Sequence, residues 1–409
     1  MLKETKPLVI LGFSARAAAE CAVQAGYCPT VVDFCGDQDL LALECQYHSM
    51  TNPDWLDWLV EQRTEGPVLL TGGMEHQSSF LYEYFRRSHR SCETIKSVLA
   101  MRDSQNWQQW AEVSDIVWPV SISLTNFSSA KSPDFDPNHL GPNFRWVLKS
   151  QKSVGGLGVQ DWPVDNELSH LRVQNDLESY YLQERLDGIG VGVTFLTSQY
   201  GTIPLGVAEN GFQDTQSFVP KYTYRGSIGP YRLSEANLFK LKSFAQIAGK
   251  ESGIQGLWQA DFILNEFQIA LLEINPRWSA SMEILDVAFN ERLVAWHGAC
   301  LDETVEMNAW IELTKRSEKR IQEGSGQVFG KWIRYAPHEF IVSETESSRW
   351  WEARWNSGQA LVQGRSRFEA DIPGANTKVA GGQPIRTTMV VGNSREQVIG
   401  LGIALSSHS

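Results

Sequence analysis

The chain has 409 residues, 42% hydrophobic and 21% charged, a make-up that predicts a soluble globular protein with length for two to three domains. A net charge of −12 argues against a broad polyanion-binding surface, so nucleic acid is not an expected partner. No stretch approaches the roughly twenty apolar residues of a membrane span, and the six cysteines show neither a C-x-x-C pair nor metal-ligand spacing. Lysines precede an apolar run at the start of the chain, as in a signal peptide. Leu8–Phe13 is nevertheless too short for a hydrophobic region, and Arg16 and Glu20 interrupt the small apolar residues after it. A cytoplasmic protein with reduced thiols is the expectation.

In chain order, Pro7–Leu11 reads as a buried parallel strand, Gly12–Ser14 as a tight turn and Ala15–Gln24 as a helix. Cys28–Phe34 comes next as a second strand carrying Asp33, completing a β-α-β unit. Asp33 lies where a dinucleotide-binding acid would, but the single glycine of G-F-S-A-R is not G-x-G-x-x-G. Pro67–Leu70 is a further strand with Thr71–Glu75 as the loop at its carboxyl end, where open α/β sheets gather ligands. Glu75 is therefore a candidate substrate contact, the plainer reading being a helix cap. Cys92–Val113 is helical and polar, Trp118-Pro119-Val120 ends it and opens a strand, and Phe127–Asn143 has the Ser, Asn, Asp and Pro content of a surface loop.

The run Trp146–Leu148 then delivers Lys149 into a loop containing Gly155, Gly156 and Gly158. Such glycines let backbone N–H groups crowd an anion, and a lysine at the root adds a point charge; alone, the pattern is as consistent with an ordinary hairpin turn. Tyr180–Leu196 reads as strand, connection, strand, with Gln183-Glu184 closing the first. Glu209–Gly229 is a glycine-punctuated loop whose Lys221 or Arg225 could bind an anionic acyl group or form solvated pairs. Leu233–Ser252 is an amphipathic helix.

Leu257–Asp286 has two apolar runs around Asn265-Glu266, the signature of a hairpin. With a three-residue loop, Leu264 would pair with Gln268 and Asp261 would face Leu271, diagonal to Glu273. Alternation then aims Ala260, Phe262, Ala270, Leu272 and Ile274 into the core, and Asp261, Glu273 and Asn275 to the other face. Two carboxylates and an amide oxygen suit Mg²⁺, and Arg277 on the same face suits a phosphate; the alternative is a surface hairpin with solvated charges. Val287–Cys300 continues as a helix in which His297 is either a substrate contact or a satisfied core histidine. Lys315–Gly326 has the composition of a linker. Short strands at Val328–Tyr335, Phe340–Val342, Lys378-Val379 and Ile385–Val391, with a closing helix Arg395–Leu405, predict a small β-rich C-terminal unit.

The order of lysine and glycine loop, Q-E segment and D…E-x-N-x-R resembles the ATP-grasp superfamily over about residues 101–324. The resemblance implies an α/β and α+β architecture: a Rossmann-like domain at 1–100, a two-subdomain ATP-grasp core at 101–325 and the β-rich unit at 326–409. It implies ATP with Mg²⁺ or Mn²⁺, and ligation of a small-molecule carboxylate to an amine through an acyl phosphate. Metal binding falls to Asp261, Glu273 and Asn275, stabilisation of the γ-phosphate and acyl phosphate to Arg277, and the α and β phosphates to Lys149 and the glycine loop. Gln183, Glu184 and Leu186 would frame adenine, and Arg102 would reach the phosphates. The acid usual for the ribose is replaced by glycines, with only Asp187 nearby. The motifs D-I-P…G-x-P-I-x-T and E-I-N-P-R-x-x-A-S-x-E resemble a carboligase-like branch tied to methanofuran and tetrahydromethanopterin one-carbon metabolism, with tyramine–glutamate ligase a distant relative. A biotin-carboxylase-like enzyme and a non-catalytic nucleotide sensor are the alternatives, and a homodimer is compatible with the resemblance.

Overall fold

Four parallel strands open the chain: β1 (Lys6–Gly12), β2 (Tyr27–Asp33), β3 (Gln46–Ser49) and β4 (Val68–Leu70), in the order β3-β2-β1-β4. Their valines, leucines and isoleucines are buried on both faces, as crossover helices require. The computed structural model describes residues 6–124, 145–151, 154–162, 179–211, 216–324, 326–356 and 365–406; the expected loop Phe127–Asn143 lies outside them. Asp33, at the end of β2, accepts the backbone N–H groups of Ala15 (2.7 Å) and Gly36 (2.6 Å). Its carboxylate ties down two neighbouring turns, which is a structural use of the acid.

Next comes a small antiparallel sheet of β5 (Ser121–Ser123), β6 (Trp146–Ser150), β7 (Gln160–Trp162) and β8 (Tyr180–Glu184), ordered β5-β8-β6-β7. The central sheet contains β9 (Ile189–Ser198), β10 (Gly201–Asn210), β11 (Gly226–Gly229), β12 (Gly256–Leu264) and β13 (Ile269–Asn275). It is continued by β14 (Val328–Tyr335), and β15 (Phe340–Ile341) pairs apart with β17 (Lys378–Val379). Between and after those two, β16 (Arg367–Ala370) and β18 (Pro384–Gly392) return to the central sheet, whose order is β13-β12-β9-β10-β11-β14-β18-β16. The β-rich C-terminal segment is thus joined strand to strand with the core, and no sheet boundary falls at residue 325. Helix Glu235–Ser252 packs Leu241, Phe244 and Ala248 against β9 and β12, where Phe195 stacks on Trp258 at 4.3 Å. Among the described residues, no helix is long and apolar enough to cross a membrane.

Two local expectations are corrected. The charged stretch Lys315–Gly326 is not a linker: helix Met307–Glu323 runs through it, burying Trp310, Leu313, Ser317 and Ile321 at helical spacing while its charges form exposed pairs such as Lys315–Glu312. Val287–Cys300 is not one helix. Ala280–Phe289 and Leu293–Leu301 are separated at Asn290 and Arg292, both with positive φ (48° and 52°), and Asp286 caps the second helix through the Leu293 N–H. Of the two readings of His297, its surroundings fit the core histidine. It is buried, its Nδ1 accepts the Leu257 N–H at 3.1 Å, and its Nε2 lies 3.2 Å from the Val68 carbonyl oxygen, so the ring is a strut between β12 and β4.

A second strut is ionic. Arg16, fully buried at the start of helix Arg16–Gln24, contacts Glu20, Glu283, Asp371 (2.9 Å) and Asp39 (3.4 Å), and Lys331 adds a 2.8 Å contact to Glu283. Burial opposes the charge on Arg16, and the surrounding acids outweigh it, holding the guanidinium above its ordinary range. The contacts join the parallel-sheet segment, the helix after β13 and the C-terminal strands.

Two outcomes are expected. Arg16→Met leaves buried acids without their cation and should lower the unfolding free energy by about 3–5 kcal/mol in urea titration; a loss below about 1 kcal/mol would mean that the network does not brace the fold. Burial lowers His297 to about 4, so the folded state disfavours the charged ring. Stability is then fully present above the ordinary imidazole range and lost as pH falls. Between about pH 7 and about pH 4.5 the wild type should lose roughly 2 kcal/mol more than His297→Phe, measured by denaturation at both pH values.

Candidate active site

The β12–β13 hairpin carries the acids, and its register departs from the three-residue-loop expectation. Leu264 pairs with Ile269, leaving a four-residue connection, and a bulge follows the Phe262–Leu271 pair. The bulge absorbs Leu272, so Ile269, Ala270, Leu271 and Ile274 are buried on β13 and Leu272, expected in the core, is only partly covered. It also brings Glu273 directly opposite Asp261, closer than the diagonal placement expected from an unbroken ladder. Asn275 Nδ2 then reaches both carboxylates, Asp261 Oδ2 at 2.9 Å and Glu273 Oε1 at 3.2 Å.

Burial, the charge of Glu273 and a hydrogen bond to it push Asp261 up to about 8. At Glu273 burial acts the same way, but Lys149 and Arg102 outweigh it and hold the group below its usual range. Near neutral pH the pair therefore shares one proton. Among the described residues no three His, Cys, Asp or Glu side chains gather as a metal-binding group. Two carboxylates nevertheless match the one or two that Mg²⁺ takes when phosphates complete its shell. The shared proton and the Asn275 N–H contacts occupy the positions a cation would take. Asn275 Oδ1 faces Arg277 Nη2 at 3.2 Å, so the amide would have to turn to act as a ligand itself. With that one rotation, the donor set fits the cation.

Basic groups surround the acids. Lys149, buried on β6, donates to Gln183 Oε1 at 3.1 Å and is held protonated against burial by Tyr181, Glu273 and Asp261. Gln183 is fixed in turn by Ser121 Oγ at 3.1 Å. Arg102, the last residue of helix Glu93–Arg102, donates to the Ile274 carbonyl at 2.7 Å and lies over the Trp107 ring. Arg277 donates to Glu75 Oε1 at 2.6 Å, to Ser279 Oγ at 3.0 Å and to the Trp278 carbonyl. The Trp278 N–H donates to the Leu70 carbonyl, so the end of β4 is bonded to the chain just after β13. Glu75 and Arg277, two separate candidates in the sequence, thus form one buried ion pair.

The glycine loop meets the Lys221–Arg225 segment. Gly155, Gly156 and Gly158 all have positive φ, and a β-carbon on Gly156 would come within 1.8 Å of the Tyr222 carbonyl oxygen. The Tyr224 N–H donates to the Gly155 carbonyl at 2.7 Å. Lys221 is exposed and paired with the Asp161 carboxylate at 2.6 Å, and Arg225 donates to the Val219 carbonyl at 2.7 Å. Asp187 is exposed and paired with Arg145. Glu184 accepts the Val120 N–H at 3.4 Å, and Leu186 lies beyond it in the connection to β9.

Three further polar residues belong to the site and carry no motif. Gln259 donates to Asp261 Oδ1 at 2.9 Å, Ser281 donates to Gln259 Oε1 at 2.7 Å, and Asn210 approaches Asp261 Oδ1 at 3.4 Å. Gln259 is two residues before Asp261, so strand alternation could have found it; Asn210 comes from β10 and has no local signal. Gly192 makes room for both amides: a β-carbon there would lie 2.7 Å from Gln259 Nε2 and 3.1 Å from Asn210 Nδ2. Gly192, one of the glycines standing where a ribose acid was expected, therefore has a packing reason.

Residues 125–281 match the ATP-grasp domain family. In structure the chain is similar to the L-amino acid ligase from Bacillus licheniformis, with 13% identity, a TM-score of 0.65, and 99% of this chain and 98% of that chain covered. It is similar to the carboxyaminoimidazole ribonucleotide synthase from Aspergillus clavatus, solved with ATP (14% identity, TM-score 0.67, 98% of each chain). It is also similar to the biotin carboxylase from Campylobacter jejuni (13%, TM-score 0.67, 97% of this chain and 90% of that chain). No curated protein matches it in sequence. The family match is confined to residues 125–281, and the chain as a whole shares its fold with these solved structures.

Proposed function

We propose that the protein is a cytoplasmic, ATP- and Mg²⁺-dependent ligase that joins a small-molecule carboxylate to an amine through an acyl phosphate. The observation that carries this reading is the pairing of Asp261 with Glu273 on one hairpin, with Lys149 and Arg102 close enough to depress Glu273. A bound Mg²⁺ would supply charge neutralisation between these carboxylates and the nucleotide phosphates. Lys149 and the backbone N–H groups of Gly155–Gly158 hold the α and β phosphates. Arg277, poised by Glu75 and Ser279, faces the transferring γ-phosphoryl group. The carboxylate oxygen of the first substrate bonds to the γ-phosphorus as its bond to the β–γ bridging oxygen breaks and ADP leaves. The amine then bonds to the acyl carbon, loses a proton and expels phosphate. Alignment and charge carry both steps, so no side-chain nucleophile is needed. A role in one-carbon cofactor biosynthesis rests on the motif resemblance alone and would show as a preference for the acids of that chemistry.

ADP release that requires both an added carboxylate and an added amine tests the reading; release driven by bicarbonate alone would favour a carboxylating enzyme, and nucleotide binding without turnover a sensor. Glu273→Gln should cut kcat by about 10²–10³-fold while the circular dichroism spectrum is retained, and full activity would remove the metal-site assignment. The proton held between Asp261 and Glu273 gives a second check. Below about pH 8, binding of MgADP should release close to one proton, seen calorimetrically in two buffers of different ionisation enthalpy, and Asp261→Asn should abolish the release.

A further inference from the structure

Tyr224 joins two parts of the candidate site. Its N–H donates to the Gly155 carbonyl at 2.7 Å, and its own carbonyl accepts the Tyr335 hydroxyl at 2.6 Å, so the backbone is pinned against the glycine loop. Its side chain leads the other way, with the hydroxyl 2.7 Å from Ser227 Oγ.

Ser227 is fully buried on β11, directly opposite Asn210 on β10, and donates to Asn210 Oδ1 at 2.6 Å. A serine hydroxyl carries a single proton. With that proton given to Asn210, the Tyr224 hydroxyl must be the donor to Ser227. Asn210 then turns Nδ2 toward Asp261 Oδ1, 3.4 Å away on β12. Strand β9 lies between β10 and β12, and the amide crosses it where Gly192 has no side chain. Gln259 donates to the same oxygen, its amide turned by the Ser281 hydroxyl in the same way. Two oriented amides therefore occupy Oδ1, and Oδ2, bonded to Asn275, is the oxygen left for a cation. Every bond from Tyr224 onward donates toward the carboxylate, so the members polarise one another. Loss of the phenolic hydroxyl weakens the amide contact at the far end.

We propose that Tyr224 is a positioning residue that ties the seat of the glycine loop to the orientation of Asp261, so that nucleotide phosphates at the loop and Mg²⁺ at the acids are bound cooperatively. The inference rests on the nucleotide reading of the site. Loop and carboxylate share one tyrosine, through its N–H at one end and its hydroxyl at the other. A ligand that fixes either end lowers the cost of ordering the other, and the effect is reciprocal.

Calorimetric titration of the full chain with ADP, in excess Mg²⁺ and in EDTA, tests it for the wild type, Tyr224→Phe, Ser227→Ala, their double variant and Tyr335→Phe. Tyr224→Phe and Ser227→Ala should each cut the Mg²⁺-dependent gain in ADP affinity by about fivefold or more, with the affinity in EDTA changed by less than about twofold. Because both act through one chain of hydrogen bonds, the double variant should lose no more than either single variant. Tyr335→Phe removes a hydroxyl that holds the Tyr224 backbone and should keep the gain. A gain retained in full by Tyr224→Phe, an equal fall in EDTA, losses that add in the double variant, or the same loss in Tyr335→Phe overturns the coupling and leaves Tyr224 as support for the loop. A wild type whose ADP affinity ignores Mg²⁺ overturns the assignment of Asp261 and Glu273 as metal ligands, a failure of the nucleotide reading itself.

Discussion

Two carboxylates face each other across a pair of antiparallel strands, and much of the surrounding structure answers that arrangement. Like charges directly opposite on a ladder are unfavourable, and burial makes them more so. Asp261 and Glu273 are tolerated because one keeps a proton and because cationic or N–H-bearing groups converge on them: Lys149 from the small sheet, Arg102 from a helix end, Asn210 from β10 and Gln259 from the same strand. None of these makes sense as packing. Together they offset the charge of two buried acids at one spot, and the proposed metal–nucleotide site rests on that arrangement.

The link to the parallel sheet is equally direct. Arg277 leaves the hairpin and ends on Glu75, and Trp278 bonds to the carbonyl at the end of β4. The two sheets therefore meet at the Glu75–Arg277 pair. A displacement of the parallel sheet is transmitted to the guanidinium through one ion pair and one backbone hydrogen bond, without an intervening loop. Glu75 is held below the ordinary carboxylate range because Arg277 outweighs the penalty of burial, so both partners stay ionised.

Much of this is legible in the sequence wherever the signal is local. The period-two alternation around Asp261, the apolar strands of the first domain and the Lys149–Gly158 loop all come from neighbouring residues. Features that depend on partners far along the chain cannot be read this way. The bulge that turns Glu273 toward Asp261 is invisible in E-I-N-P-R, because Leu271 and Leu272 are equally apolar and only packing decides which is buried. Asn210 lies 51 residues before Asp261 and the Glu75–Arg277 pair spans 202. The charged run after Thr314 reads as a linker because its exposed face dominates the composition, although Ser317 and Ile321 complete a buried stripe. In sequence Arg16 and Glu20 are only interruptions of an apolar stretch; folded, the arginine is the most connected residue of that stretch.

That buried arginine limits what can be exchanged. Its acceptors come from residues 20, 39, 283 and 371, so the segment supplying the parallel sheet, the helix behind the hairpin and the last third of the chain were fitted to one another. Grafting the opening hundred residues of another member of this fold onto the remainder would bring in a foreign side chain at the shared centre and strand several acids in a dry interior. A chain recombined at that boundary would keep its stability only if the donor segment supplied an arginine matched to the acids at 283 and 371.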